Sequence, residues 1–189
     1  MENRKDRPRL RVIQGTLVCG TSLGKLRIVA APKDSPPFAV QAIAFEEDTF
    51  LVLSADPAVR DPKGPLVRIM TELMEAQPRV PGSVFVQGRS PFRLLAIIHD
   101  LNQEPSWKEE WILTAFSAIF EACETREIRS LALPPLGTVH GTLRRSRSIE
   151  MLVKAVQEKP LRHLKKLWLV VPAGSAKESI EVVESLYVG

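Results

Sequence analysis

Apolar positions recur along the chain in two rhythms, and the switches between them mark out the elements. Leu10 to Cys19 and Lys25 to Ala31 are β-rich runs flanking Gly20, Thr21, Ser22 and Gly24, which predicts a hairpin or a bulged strand pair. Phe38 to Phe45 follows a proline-rich break and fits either a strand or a short helix opened by Pro36. Thr49 to Ala55 is an apolar run stopped by Asp56-Pro57, the pattern of a central strand buried on both faces.

Helical spacing predicts helices in four further places. Leu66, Ile69, Met70 and Leu73 follow Gly64-Pro65 at i, i+3, i+4 and i+7. Ser106 and Glu109 have capping-box spacing in the segment where Trp107, Trp111, Ala115, Ile119 and Cys123 recur every fourth residue. Ile149, Leu152, Val153 and Val156 mark a third helix, and Ser175 with Glu178 is expected to cap a fourth carrying Ile180, Val183 and Tyr187. Strands are expected over Ser83 to Val86, Phe92 to His99, Ile128 to Leu133 and Leu167 to Val171. Strands and helices thus alternate after a strand-rich start. The expected fold class is α/β, a three-layer α/β/α sandwich on a mixed, largely parallel sheet. Residues 1–9 are expected to form a basic disordered arm and residues 10–189 a single domain.

Composition narrows the function class without naming it. The 189 residues can bury roughly 70% of the open chain's surface, so no disulfide or metal staple is required. Apolar residues at 44% and charged residues at 25% exclude a disordered or collagen-like chain. The net charge of +4 suits an anionic partner but does not demand nucleic acid. Cys19 and Cys123 lack CxxC spacing and read as buried thiols in a reducing cytoplasm. Neither a metal site nor a membrane span is expected.

Ligands of parallel sheets bind outside the carboxyl ends of the strands, which directs attention to Asp56 to Gly64 and Pro134 to Gly141. The second segment, IRSLALPPLGTVHGTL, runs from strand to glycine-containing loop to helix start. That order can aim the amides around Gly137, Thr138, Val139 and Gly141 at a phosphate, with Arg144, Arg145 and Arg147 as further donors. The bland alternative is a tight turn followed by a solvated basic face. His140 is the best functional candidate among the histidines; His99 reads as structural and His163 as solvent-facing.

From about Thr49 to Val171 the chain resembles the macro domains, which bind ADP-ribose and related nucleotides. LSADPAV looks like that family's VNAAN strand end, KGPLVRI like its glycine-rich loop and helix, LLAIIHDL like its histidine strand, and ALPPLGTVHG like its second loop. The resemblance implies an ADP-ribose-like ligand held at Gly64, Leu66, Gly137, Thr138, Val139, Gly141 and Arg144, without a cofactor. It leaves enzyme activity undecided, leaning against it. Any turnover would be ADP-ribosyl or phosphoester hydrolysis, with Asp56 or His140 orienting water.

The departures are specific. Asp56 stands where the family has asparagine, Pro65 removes a donor, and His140 replaces an aromatic. Asp56 also fits a turn cap. The alternative expectation is a degenerate macro-like domain serving as a protein- or RNA-interaction module, with RNA held weakly through basic segments at Arg4 to Arg11 and Arg144 to Lys166. Everything depends on whether the amides around Gly137 face an open, anion-sized hollow.

Overall fold

The computed structural model describes residues 11–13, 16–53 and 77–187. It contains strands β1 (Arg11–Ile13), β2 (Thr16–Leu23), β3 (Leu26–Ala31), β4 (Ala42–Asp48), β5 (Val84–Gln87) and β6 (Phe92–His99). Helix α1 (Glu109–Thr125), β7 (Ser130–Leu133), helix α2 (Arg145–Glu158), β8 (Lys166–Val170) and helix α3 (Ala176–Leu186) follow. The strands form one sheet in the order β1-β2-β3-β8-β7-β4-β6-β5. From β3 to β6 neighbouring strands are parallel, while β1, β2 and β5 join antiparallel at the edges. The sheet is therefore mixed and largely parallel, as its alternation of elements predicts.

Strand β4 departs from expectation. The undecided segment before Phe45 supplies its first half, and Thr49 to Leu53, expected to begin a buried strand, form turn and bend instead. Apolar content misleads here because β4 ends in Glu46, Glu47 and Asp48, all buried, and charged residues ordinarily mark a surface. Helix α1 likewise starts at Glu109, with Lys108 rather than Ser106 at its N-cap and no side-chain cap. Ser175 does precede α3, but its hydroxyl does not cap that helix. The helix expected over Leu66 to Leu73 lies outside the described residues, as do the basic arm and Asp56, Gly64 and Leu66.

The pleat sorts apolar residues onto two faces. Ile28, Ala30, Ala42, Ala44, Leu94, Ala96, Leu131, Leu133, Leu167 and Leu169 share one cluster with α1, α2 and α3. Fully buried Phe116 and Phe120 anchor it, each contributing about 1.5–3 kcal/mol of burial. On the other face Val18, Val29, Ala31, Ala132 and Trp168 pack with Phe38, Val40 and Ile43, and the Trp168 indole donates to the Ala31 carbonyl at 3.0 Å.

Candidate functional site

The carboxyl ends of β4, β6 and β7 meet at one edge. Glu46 continues the face of Ala42 and Ala44 and carries its carboxylate under the loop that follows β7. A register shift between Glu47 and Asp48 then sets Asp48 opposite His99, and the Thr49 amide donates to the His99 carbonyl at 2.9 Å. Asp48 turns back on its own chain, accepting from the amides of Phe50 at 2.7 Å, Val52 at 2.8 Å and Leu53 at 2.9 Å. The β4 strand thus ends in a carboxylate well before Asp56, and that carboxylate is committed to closing its own turn.

The loop after β7 is shaped around Gly137, whose φ of +82° a side chain would rarely adopt. A Cβ there would also lie 2.6 Å from Ile112 Cδ1. The Leu143 amide donates to the Gly137 carbonyl at 3.1 Å, and Ser148 Oγ donates to the Leu136 carbonyl at 2.7 Å, tying the loop to α2. So held, the loop aims successive amides inward: Thr138 and Val139 donate to Glu46 Oε1 at 3.1 and 3.2 Å, and His140 to Oε2 at 3.1 Å. Sequence reasoning expects an anion cradle in this loop, and the amides do converge. Their acceptor is the protein's own carboxylate, whose side chain has 0% exposure. The three amides around Gly137 are thus already engaged within the protein.

A histidine completes the coordination of Glu46. His99, only 1% exposed, places Nε2 3.3 Å from Glu46 Oε2 and Nδ1 3.2 Å from Ser106 Oγ. The Ser106 hydroxyl, expected to cap a helix, serves this contact instead. His140 presents its ring edge-on to His99 with centroids 6.2 Å apart, and its side chain is exposed. Val139 is exposed too, and a Cβ on Gly141 would press within 3.0 Å of the Trp107 ring.

The arginines point elsewhere. Arg144 is exposed at the N-cap of α2, Arg145 pairs with Glu178 at 3.5 Å, and Arg147 bonds Glu109 and Glu150 at 2.7 and 2.9 Å. The last pair borders a groove of about 510 Å³ between α1, α2 and Leu186 of α3. Beside the site, the Asn102 amide holds the Asp100 carboxyl below the usual range. Among the described residues no group of three His, Cys, Asp or Glu could hold a metal, and no helix is long and apolar enough to cross a membrane.

A sheet of this order, with its helices and its loop of inward amides, can be compared with known proteins. No family model matches the chain, and no curated protein matches it in sequence. Solved structures do match. A variant of the Oceanobacillus iheyensis macrodomain with ADPR is 15% identical, covering 89% of this chain and 96% of its own at a TM-score of 0.60. The fold is that of the macrodomains. The same macrodomain with ADP is 14% identical over 89% of this chain and 94% of its own, again at 0.60. The macrodomain of Thermus aquaticus DarG is 18% identical over 77% of this chain and 98% of its own, at 0.54.

Within this macrodomain fold, the strand-end cluster joins Glu46, which sequence reasoning did not single out, to His99, which it read as structural, and Ser106, which it placed in a capping box. Their signals were faint: an acidic triplet abutting an alternating strand, and a histidine closing an apolar run.

Proposed function

We propose that this protein uses the macrodomain fold as a protein-interaction module, and that its Gly137 loop does not receive a nucleotide diphosphate. The observation that carries this reading is the Glu46 carboxylate, fully buried and bonded to the three amides of Thr138, Val139 and His140. A phosphate seeking those amides must displace an anion already in place, tethered to the same fold. It would also leave a buried carboxylate beside a second negative charge, at a cost of several kcal/mol. ADP-ribosyl or phosphoester hydrolysis is not part of this reading, and Asp56, one of the two residues it would use, lies outside the described residues. The closed edge offers apolar contact instead. Val80, Leu101 and Val139, at 71%, 54% and 58% exposure, stand on loops at the carboxyl ends of β4, β6 and β7, and large exposed apolar residues gathered at one edge suit a protein partner.

A second reading, a nucleotide ligand of the ADP-ribose class, is favoured by the ADPR and ADP in two of the similar solved structures. Calorimetric titration with ADP-ribose separates the two. The first reading expects no saturable heat with the wild-type protein up to millimolar ligand; saturable binding would overturn it in favour of the second.

A further inference from the structure

We infer that Ser106 is a nucleophile, activated by a Ser106–His99–Glu46 relay at the mouth of the closed loop. This goes beyond the interaction reading and does not depend on it. The logic starts from Glu46, which as a carboxylate only accepts hydrogen bonds. Its partner at 3.3 Å, His99 Nε2, must therefore carry the ring proton. That leaves Nδ1 as the lone-pair nitrogen, 3.2 Å from Ser106 Oγ, so the serine hydroxyl donates to it. Nucleophile, base and orienting carboxylate stand in the relation that defines acyl-transfer triads, where roles and geometry rather than sequence order identify the set. The amides of Thr138, Val139 and His140 fix the carboxylate that fixes the ring, so Glu46 is the positioning residue and His99 the base. His99 is buried, whereas Ser106 is only half-buried and lies just ahead of α1.

The substrate class that suits the place is a carboxylic ester with an apolar acyl group, because Leu101 and Val139 stand exposed on the flanking loops. Ser106 Oγ would bond to the acyl carbon as its proton passes to His99 Nδ1. The ester C–O bond then breaks, and that proton leaves on the alcohol. Water repeats the sequence: its oxygen bonds to the acyl carbon, its proton passes through Nδ1 to Ser106 Oγ, and the free acid departs. The first-turn amides of α1, which begins at Glu109 three residues after Ser106, lack acceptors inside the helix and are the donors the proposal requires for the oxyanion.

The test is covalent labelling of the full chain with an alkyl fluorophosphonate, read by intact mass and peptide mapping. The expected result is one adduct, on Ser106, absent from Ser106→Ala. Labelling should slow at least about 100-fold in His99→Gln, the lower bound for a general base. Ser106 is half-buried, so Ser106→Ala should keep a cooperative melt and decides the matter even if His99→Gln does not fold. A folded wild type that takes no label, a label on another residue, unchanged labelling of Ser106→Ala, or wild-type labelling rates in folded His99→Gln would each overturn the proposal.

Discussion

A buried carboxylate is costly unless its oxygens are filled, and Glu46 shows how completely a fold can fill them. Three main-chain donors and one imidazole surround a side chain with no exposure, which is the arrangement that makes a buried charge tolerable. Removing it does the reverse, since the three amides keep their burial and lose their acceptor. Glu46→Ala should lose roughly 3–5 kcal/mol of unfolding free energy in urea titration. Glu46→Gln, which retains a carbonyl oxygen for two of the amides, should lose about 1–3 kcal/mol. Equal stability of Glu46→Ala and wild type would mean that the carboxylate does not hold the loop in solution. The thiols illustrate the opposite case. Burial, with the Glu124 carboxylate adding to it, pushes Cys123 up to about 12, which leaves it protonated and inert at neutral pH.

At the scale of elements, the same device recurs at the end of α1. Glu124 accepts from the amides of Arg162, His163 and Leu164 at 2.8, 3.0 and 3.0 Å, fastening the loop before β8. Burial pushes its carboxyl up, but the amides of Leu164, Arg162 and His163 outweigh burial and hold it below its ordinary value of 4.5. A depressed acid contributes stability that is present above its unfolded value and lost as pH falls through its folded value. Glu124→Gln should therefore cost about 1–2 kcal/mol at pH 7, and the gap between variant and wild type should close as pH drops below 4.5. A gap independent of pH would remove Glu124's charge from the account.

Elements also show what the sequence could and could not disclose. Strands β6, β7 and β8 and helices α1 to α3 were legible because their apolar periodicity matches the faces they bury. Strand β4 was not, because its last three residues are acidic and its contribution to the core is the alanines Ala42 and Ala44. The loop's amides were foreseen from its glycines. Their occupant was not, because Glu46 lies 92 positions from Thr138 and only the register of β4 beside β7 brings them together.

Over the whole molecule, the closed loop and three exposed apolar residues, Val80, Leu101 and Val139, stand at one edge of the sheet, while Leu186 and Tyr187 are exposed at the end of α3. On the proposed reading, one end of the fold combines stability inside with contact outside. A photocrosslinking residue installed at Val139 in cells should capture a protein partner, and Leu101→Glu on the same chain should abolish that capture. Capture indifferent to Leu101→Glu would place the partner surface elsewhere. The resemblance to macro domains was correct about the architecture, as the solved structures show. It could not reveal that the chain supplies its own anion, since that fact belongs to a side chain two residues short of the strand's end. The most direct measurement is the ¹⁵N–¹H spectrum of the Thr138, Val139 and His140 amides. If Glu46 holds them, they exchange slowly with solvent and stay in place on addition of ADP-ribose; rapid exchange in the free protein, or saturable shifts with ligand, would contradict the account.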